Sequence, residues 1–495
     1  MKLKEILNNC EYELVSGNLD VEVKDIAYDS RNVEKDFMFV ALSGFMVDGH
    51  EYINSAIGKG AKVIVCEKDF SLEDDYNITV VKMKNTRRSL ASMSRNFFGC
   101  PDEELTTIGI TGTKGKTTTS WTIMKMLNDS GKSAGIIGTM GVFFKDRYYH
   151  TVNTSPEAYD VYKYMREMIK DGIKYFVMEV SSQSLKLHRW EDMIFDYGIF
   201  TNLSLDHVGK DEHDDYEDYA NCKSLLFKQC KHGIFNLDDK EYGRMTNNFK
   251  GDVHTYGVND KADLRLVSCE NIIDAGFIGL EMTVEGSVND TFRVSIPGKF
   301  NAYNMMCAIS IGNLLGIDIQ SMKKTLENIS VKGRLEPIKV SNKFSVLIDY
   351  AYQGIAMENV INTIREANPK RIVVVFGCGG NRSKQRRYDC GKIAGELADL
   401  SIITADNPRY EDNNEIIEDI LSTLKPTGGD YVVIPDRKEA IKYSIVNAKE
   451  GDVIMILGKG HEDYQEIKGV RYPFDERVII KEILDGLTEE EKKNL

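Results

Sequence analysis

Short apolar runs alternate with longer amphipathic stretches along most of this chain. In the first hundred residues, strand-like runs at 37–42, 61–66 and 78–81 alternate with helical patterns at 52–59 and 86–98. The apolar runs that follow lie at 133–137, 175–180, 197–202 and 232–237, again with amphipathic stretches between them. Because parallel strands need crossover helices, this alternation predicts an α/β fold with mostly parallel sheets.

Two changes in the pattern divide the chain into three predicted domains. Residues 253–297 are rich in alternating β-type residues and predict a small antiparallel insert, which a helix over 301–315 follows. A second alternation then begins, with strands at 345–349, 371–376, 400–404 and 452–457. We therefore predict domains at 1–104, 105–332 and 333–495. The central one has a mostly parallel sheet of the P-loop type, and the last is a Rossmann-like doubly wound domain.

A glycine-rich turn lies between a predicted strand and a predicted helix of the central domain. It reads Gly112-Thr113-Lys114-Gly115-Lys116-Thr117-Thr118. Such a turn aims backbone N–H groups at phosphate, and the start of the helix adds a favourable dipole. Lys116 can reach the β and γ phosphates of a nucleotide, and the Thr117 hydroxyl can ligate Mg²⁺. The turn is not the standard P-loop, because Ile110 stands where that pattern has its first glycine.

Polar residues follow two further apolar runs of the central domain. Glu179 ends the run at 175–180 and can complete the Mg²⁺ coordination begun by Thr117, since ligands bind at the carboxyl ends of parallel strands. His207 follows the run at 197–202 and can ligate a second metal, with Asp206 orienting it. The ordinary alternatives are a surface glutamate and a structural histidine, and a phosphate loop in the same domain weakens the first of these.

Composition restricts the class of protein. The formal net charge of −14 over 495 residues argues against nucleic acid as a partner. No run of about 18 apolar residues appears and the N-terminus lacks a signal-peptide core, so we expect no membrane insertion. The nine cysteines form no CxxC pair, so we expect reduced thiols in a cytoplasmic protein and no zinc site.

Together these motifs resemble those of the Mur ligase family. The short phosphate loop, Glu179-Val-Ser-Ser, Asn-Leu-Ser-x-Asp-His207 and Lys223-Ser-Leu-Leu-Phe stand in the order seen in the UDP-N-acetylmuramoyl-dipeptide ligases of peptidoglycan synthesis, the MurE type. The resemblance covers essentially the whole chain. It implies a bacterial cytoplasmic ligase that forms an amide bond with ATP and Mg²⁺, and we expect a monomer. It also implies that Thr117 and Glu179 serve a first Mg²⁺, while His207 and a carbamylated Lys223 serve a second.

The same resemblance implies one catalytic group and three binding groups. The catalytic residues are Lys116, His207, Lys223 and Arg334. ATP is held by the phosphate loop with Asn301, Asn304, Arg334 and Asp349. The UDP-dipeptide is held by Ser30, Asn153, Thr154, Ser155, Ser181 and Arg189. The incoming amino acid is held by Arg382, Asp406, Asn407, Pro408, Arg409, Gly458 and Glu462.

The motif Asp406-Asn-Pro-Arg409 indicates which amino acid is added. In this family it marks users of meso-diaminopimelate, whereas lysine users usually lack the arginine. The physics agrees, because diaminopimelate carries a distal carboxylate that a guanidinium fork matches, while Glu462 would take an ammonium group. The resemblance thus implies addition of meso-diaminopimelate to the D-Glu γ-carboxylate of UDP-N-acetylmuramoyl-L-Ala-D-Glu through an acyl phosphate. By composition alone, the motif would be a simple turn.

Two positions depart from the family pattern and keep alternatives open. Leu187 stands where the family often has Gln, and Tyr352 stands where it commonly has His. A lysine-adding ligase or a folylpolyglutamate synthase is one alternative. A P-loop NTPase or kinase is another, and a non-catalytic UDP-sugar-binding homologue is the third, which Tyr352 in particular leaves open.

Overall fold

The computed structural model describes residues 1–44, 47–71, 77–204, 209, 213–274, 277–492 and 495. They form two compact units. The first unit comprises Met1–Asp263 with Ser310–Ile317, and the second comprises Leu264–Ile309 with Asp318–Leu495. Each unit has buried apolar clusters of its own.

The first unit begins with a small sheet that helices cover on both faces. Its strands are β1 Glu13–Ser16, β2 Ile26–Ala27, β3 Met38–Val40, β4 Val63–Cys66 and β5 Thr79–Lys82. Its helices are α1 Leu3–Ile6, α2 Ile53–Gly58 and α3 Thr86–Phe97. The order is β1-β5-β4-β3-β2, with β1 antiparallel and the rest parallel. Side chains alternate along β4, so Val63 and Val65 join one apolar cluster while Ile64 and Cys66 join another.

The larger sheet of the first unit carries the phosphate loop. Its strands are β6 Thr106–Thr111, β7 Ala134–Gly138, β8 Gly141–Phe144, β9 Arg147–Tyr149, β10 Tyr175–Glu179, β11 Phe195–Phe200, β12 Cys230–Asn236 and β13 Asp252–Gly257. Its helices are α4 Lys116–Asp129, α5 Ala158–Lys170, α6 Ser182–Lys186, α7 Tyr216–Ser224 and α8 Tyr242–Thr246. The order is β13-β12-β11-β6-β10-β7-β8-β9, parallel from β13 to β7 and antiparallel in β8 and β9. Because β6 lies between β10 and β11, the loops after these three strands meet at one sheet edge.

The second unit starts with an antiparallel group and continues as a doubly wound sheet. The first elements are β14 Leu264–Asp274, β15 Phe277–Gly286, β16 Asp290–Val294, α9 Lys299–Leu314 and α10 Ile319–Glu327. The last residues of α9, from Ser310 on, belong to the first unit. The later strands are β17 Glu336–Ile338, β18 Ser345–Asp349, β19 Arg371–Phe376, β20 Leu400–Ile403, β21 Tyr431–Val433, β22 Asp452–Leu457, β23 Tyr464–Ile467 and β24 Val470–Pro473. The later helices are α11 Gly354–Arg365, α12 Gln385–Leu397, α13 Asn413–Leu424, α14 Arg437–Val446, α15 Glu476–Gly486 and α16 Glu489–Lys492.

The C-terminal sheet has the order β17-β18-β22-β19-β20-β21, parallel except for β17. Strands β23 and β24 form a separate hairpin. The predicted antiparallel insert at 253–297 is smaller than expected, because β13 pairs in parallel with β12. Alternation in polarity along a strand indicates which of its faces is buried and not the direction of the neighbouring strand, so the pattern alone could not separate the two cases.

Among the described residues, no helix combines the length and apolar character needed to cross a membrane. All nine cysteines lie in the described part of the chain, and each is a free thiol.

Candidate active site

The glycine-rich turn lies between β6 and α4, at the carboxyl edge of the large sheet. Gly112 has a φ of +150°, and a Cβ there would overlap the hydroxyl oxygen of Thr201. Gly115 has a φ of +87° and directly precedes Lys116, the first residue of α4. The backbone therefore turns sharply at two glycines before it enters the helix, which leaves the positive end of the helix dipole at the turn.

Asn202, just after β11, fixes the shape of this turn. Its backbone oxygen accepts a hydrogen bond from Thr113 N at 2.8 Å, and its Oδ1 accepts one from Lys114 N at 3.0 Å. The Thr113 hydroxyl lies 3.1 Å from the Tyr219 hydroxyl on α7. Contacts from two neighbouring elements thus hold the loop in place.

Two lysine side chains converge on the carbonyl oxygen of Gly112. Lys116 Nζ donates to it at 2.7 Å and to Thr113 O at 3.1 Å, while Lys223 Nζ donates at 2.9 Å. Lys223 is only 1% exposed, and its Nζ lies 4.6 Å from the Tyr219 ring centroid. An isolated lysine on a helix is ordinarily solvated, whereas this one is buried beside the phosphate loop.

Glu179, at the end of β10, is buried and binds two threonine hydroxyls. Its Oε2 accepts hydrogen bonds from Thr117 Oγ1 and Thr139 Oγ1, both at 3.0 Å, and its Oε1 accepts one from Thr139 N at 2.9 Å. Gly138 makes room for this carboxylate, because a Cβ at that position would overlap Oε1. Carboxylate and hydroxyl oxygens are hard ligands, so the group fits Mg²⁺.

Three residues predicted to bind the UDP-dipeptide form a connected group beside Glu179. Ser155 Oγ donates to the Glu179 carbonyl oxygen at 2.8 Å and accepts from Ser181 N at 3.0 Å. Arg189 Nη1 donates to Ser155 O at 2.6 Å. Ser181 also caps α6 by accepting from Ser184 N at 3.1 Å. These contacts fix the backbone and the side chains at one end of the predicted site.

The other residues of that predicted group lie in loops or turns. Thr154 Oγ1 is 3.1 Å from Thr139 Oγ1, and Asn153 is exposed. Ser30 begins a short 3₁₀ turn, and its carbonyl oxygen accepts a hydrogen bond from Lys59 Nζ at 2.9 Å.

A largely buried carboxylate, that of Glu157, contacts two arginines. Arg189 Nη2 lies 2.9 Å from Glu157 Oε1, and Arg87 on α3 donates to the same oxygen. Glu157 Oε2 and Arg189 Nε have no hydrogen-bond partner among the described residues. Burial lowers the pKa of the Arg189 guanidinium, and the charge of Arg87 lowers it further.

The second unit holds the remaining residues predicted to bind ATP. Asp349, at the end of β18, is buried and accepts hydrogen bonds from Leu335 N at 2.7 Å and Ala351 N at 2.8 Å. Burial raises the pKa of this carboxyl. The guanidinium carbon of Arg334 lies 5.8 Å from the Tyr350 ring centroid, so the side chain packs over that ring.

Asn301 and Asn304 are buried in the first turns of α9. Asn301 Nδ2 donates to Pro297 O at 2.7 Å, and Asn304 Nδ2 donates to Asn301 Oδ1 at 2.9 Å. Their amides thus tie the start of the helix to the residues before it.

Lys459, fully buried, connects several residues predicted to bind the amino acid. Its Nζ donates to Asn407 Oδ1 at 2.9 Å and to Tyr464 O at 2.8 Å. It also lies 3.5 Å from Asp406 Oδ1 and 3.6 Å from Glu462 Oε2. Burial, and next the charge of Asp406, raise the pKa of Glu462. The group has two carboxylates for one ammonium, so it can take a further cation.

Arg409 lies three residues after Asp406 and has an unusual backbone conformation. Its φ is +53°, in the left-handed region that few residues other than glycine adopt. Its Nη1 donates to Gly380 O at 2.8 Å, and its Nε lies 3.4 Å from Glu466 Oε2 on β23. Arg382 lies in the loop after β19 and is exposed. Gly458 follows β22 and has a φ of +111°.

Models of one protein family match most of the chain. The Mur ligase family, catalytic domain model matches residues 22–97, the Mur ligase middle domain model 110–312, and the Mur ligase, glutamate ligase domain model 333–460. The chain belongs to the Mur ligase family. Mur ligases use ATP to form amide bonds, so this chain is an ATP-dependent ligase.

Similar proteins cover almost the whole of this Mur ligase. A UDP-N-acetylmuramoyl-L-alanyl-D-glutamate--2,6-diaminopimelate ligase of Caldanaerobacter subterraneus subsp. tengcongensis is 40% identical over 98% of this chain and 99% of its own length. A protein of the same name from Clostridium perfringens is 40% identical over 98% of this chain and all of its own length. A solved structure of a ligase with that name is 26% identical, with a TM-score of 0.73 over 98% of this chain and 99% of that one.

These findings confirm the predicted α/β class, with its mostly parallel central sheet and its doubly wound C-terminal sheet. The domain boundaries and the roles of individual residues in this Mur ligase stay predictions. His207 and Asp206 lie outside the described residues.

Two departures from the Mur ligase pattern lie at the ends of elements. Leu187 directly follows the last residue of α6, and His188 after it has a φ of +54°. Tyr352 is 41% exposed, and its ring centroid lies 5.0 Å from that of Tyr350. The Arg386 guanidinium also packs over the Tyr352 ring, with 5.7 Å between the guanidinium carbon and the ring centroid.

Three residues that contact the predicted site residues were not predicted from the sequence, each for a different reason. Thr139 follows β7 directly, so the rule that places ligands at strand ends could have found it. Lys459 lies inside the Gly458-Lys-Gly-His-Glu462 motif, where only the flanking residues had an expected role. Arg87 belongs to a different predicted domain from its partner Glu157, and no local pattern connects them.

Proposed function

We propose that this Mur ligase joins meso-2,6-diaminopimelate to the D-Glu γ-carboxylate of UDP-N-acetylmuramoyl-L-Ala-D-Glu, with ATP and Mg²⁺. Full-length relatives about 40% identical carry the name of that ligase, which supports the reaction. The choice of amino acid rests on one observation. Arg409 Nε lies 3.4 Å from Glu466 Oε2, and Glu466 N donates to Asn407 Oδ1, the same atom that accepts from Lys459 Nζ. The arginine is thus connected to the cluster of Lys459, Asp406 and Glu462, which supports one binding site for the distal carboxylate and ammonium of diaminopimelate.

In the first step, the γ-carboxylate of D-Glu attacks the γ-phosphate of ATP, giving an acyl phosphate and ADP. Lys116 and the N-terminus of α4 balance the negative charge on the transferring phosphoryl group. Thr117 and Glu179 would hold Mg²⁺, whose chemistry is to neutralise phosphate charge, and their oxygen donors fit that ion. His207 and a carbamylated Lys223 are proposed for the second Mg²⁺, and Arg334 for phosphate charge.

In the second step, a neutral amine of diaminopimelate attacks the acyl carbon and expels phosphate. Glu462 would take the distal ammonium group, and Arg409 would take the distal carboxylate. Binding at the distal end leaves the other amine to react, which sets the direction of the bound amino acid. We also propose that Asn301, Asn304 and Asp349 contact ATP. The proposed domains are residues 1–104, 105–332 and 333–495, and we propose that the protein is a monomer in the bacterial cytoplasm.

The test is phosphate release with ATP, Mg²⁺ and UDP-N-acetylmuramoyl-L-Ala-D-Glu, with meso-diaminopimelate compared with L-lysine. Release with diaminopimelate alone supports the proposal, and release with lysine instead would identify a lysine-adding ligase. ATP hydrolysis without the dipeptide would indicate an NTPase. Binding of the UDP-sugar without any release would indicate a non-catalytic homologue.

A further inference from the structure

The cluster of Arg87, Glu157 and Arg189 contains one more positive charge than negative. Both guanidinium groups contact the same oxygen, Glu157 Oε1. All three side chains are largely buried, with exposed fractions of 14%, 11% and 9% respectively. A buried excess charge is costly unless a counterion reaches it, so the cluster favours an anion.

One donor of the cluster points to where that anion belongs. Among the described residues, Arg189 Nε has no hydrogen-bond partner, whereas the other unsatisfied atom, Glu157 Oε2, is an acceptor that an anion would not satisfy. A buried unsatisfied donor costs about 1–3 kcal/mol, so a ligand that accepts from Arg189 would recover that energy. Arg189 also holds the carbonyl of Ser155, in the loop predicted to bind the dipeptide. The unsatisfied Nε of Arg189 therefore lies near the loop predicted to bind the dipeptide.

Arg87 reaches this cluster from α3, which belongs to the N-terminal sheet region. Its Nη2 also donates to Ser43 O at 3.2 Å, so both terminal nitrogens of the guanidinium are held by hydrogen bonds. The next residue, Arg88, pairs instead with Glu191 and is more than half exposed. Two adjacent arginines on one helix thus have different surroundings, and only Arg87 lies in the buried cluster.

We propose that Arg87 is a positioning residue for the UDP-dipeptide: it neutralises Glu157 and thereby leaves the charge of Arg189 available for a carboxylate of that ligand. This inference rests on the proposed function. Without Arg87, Glu157 and Arg189 would form a neutral pair, and the attraction for an anion would be lost. With Arg87 present, the two arginines share Glu157 Oε1, and Arg189 Nε has no hydrogen-bond partner among the described residues.

The ligand's chemistry indicates which carboxylate is bound. The γ-carboxylate of D-Glu must be free to react, whereas its α-carboxylate is unchanged through the reaction. An arginine that holds the α-carboxylate would therefore orient D-Glu in every step without being consumed. The assignment predicts that the enzyme distinguishes the α-acid from the uncharged α-amide.

Calorimetric binding without ATP tests this directly. The two ligands are UDP-N-acetylmuramoyl-L-Ala-D-Glu and its α-amide, in which D-isoglutamine replaces D-Glu. We expect Arg87→Gln to weaken binding of the acid about tenfold or more and binding of the amide less than about threefold. Arg88→Gln, the adjacent matched control, should change neither affinity, and thermal unfolding of each variant checks that it is folded.

A charge-balanced double variant provides the second arm. Arg87→Gln with Glu157→Gln removes one charge of each sign and leaves Arg189 unneutralised, so acid binding should recover to within about threefold of the wild type. Arg87→Lys, which keeps the charge, should stay close to wild type even if Arg87→Gln fails to fold. Equal losses for acid and amide, or no recovery in the double variant, would overturn the assignment while the proposed function stood. A wild-type protein that binds neither ligand would overturn both.

Discussion

Side chains at the ends of parallel strands carry the chemistry proposed here, and Glu179 is the most constrained of them. Its two oxygens accept three hydrogen bonds from Thr117 and Thr139, so the carboxylate has a single orientation. A Gln side chain has nearly the same shape without the charge: its Oε1 can accept from Thr139 N, and its NH2 can donate to the two hydroxyls, which can also accept. A change in function would therefore report mainly on charge and not on packing.

We expect Glu179→Gln to lower kcat at least about 100-fold and to raise the Mg²⁺ concentration needed for half-maximal rate, because the metal loses an anionic ligand. Phosphate release measured across a Mg²⁺ titration tests this. Glu217→Gln, an exposed carboxylate paired with Arg244, is the control. An unchanged Mg²⁺ requirement would remove Glu179 from the metal site.

Arg409 is the residue on which amino-acid choice depends in this proposal. We expect Arg409→Gln to lower kcat/KM for meso-diaminopimelate about 100-fold or more, because the distal carboxylate would be buried without a cation. The KM for ATP should change less than about twofold. The measurement is phosphate release under varied diaminopimelate. Arg365→Gln, a half-exposed arginine paired with Asp399 in the same unit, is the control and should leave both constants unchanged.

His461 gives the second unit a predictable response to acid. Burial, with the charge of Arg334 next, lowers its pKa to about 4. The folded protein thus keeps the ring neutral, whereas the unfolded chain takes up a proton below about pH 6.5. The contribution of His461 to stability is complete above about pH 6.5 and is lost as the pH falls towards 4, by up to about 3 kcal/mol.

The prediction for His461→Gln is a smaller drop in Tm between pH 7.5 and pH 5 than the wild type shows. Thermal unfolding followed by fluorescence at both pH values measures it. His150→Gln, at an exposed position, should behave like the wild type. Parallel pH responses in all three proteins would contradict the argument.

At the scale of elements, the turn between β6 and α4 depends on one glycine. An alanine at 112 would be strained by its φ and would overlap Thr201, so the turn would have to move. We expect Gly112→Ala to reduce ATP affinity at least about tenfold, measured by calorimetry. Gly131, at the end of α4, also has a positive φ of +80° but open space around it. Gly131→Ala should lower stability by about 1 kcal/mol and leave ATP binding unchanged, and equal effects of the two variants would contradict the overlap argument.

The elements also show what sequence patterns can and cannot predict. The strands β18, β19 and β22 lie at their predicted bounds, because continuous β-branched runs between turn residues define buried parallel strands. Helix α7 begins at Tyr216, because Asp215 caps it by accepting from Asp218 N, and an aspartate before a helical pattern is a signal that the sequence does carry. Some contacts join residues that are far apart in the chain. Lys223 is buried against Gly112, Lys459 against Asn407, and Arg87 pairs with Glu157. Local periodicity carries no information on such pairs.

At the scale of the whole molecule, the division into two compact units affects how ligands stabilise the protein. The residues proposed for the UDP-dipeptide all lie in the first unit, and those proposed for diaminopimelate all lie in the second. A ligand stabilises only the unit that it binds, by about 2.7 kcal/mol at 100 times its Kd.

We therefore expect two transitions in differential scanning calorimetry, one raised by the UDP-dipeptide and the other by diaminopimelate. Arg409→Gln should abolish the second shift without affecting the first. If each ligand raised every transition by the same amount, the units would unfold as one cooperative body and this expectation would be wrong.

The left-handed backbone at Arg409 has a consequence for the descent of such enzymes. A non-glycine residue with this φ costs about 1 kcal/mol, which glycine would avoid while losing the guanidinium and its hydrogen bond to Gly380 O. Folding energy alone therefore gives little reason to keep an arginine at this position. If Arg409 has the proposed role, the arginine is retained by selection on the wall polymer that the cell builds, and a lineage that no longer used the distal carboxylate would lose it by drift.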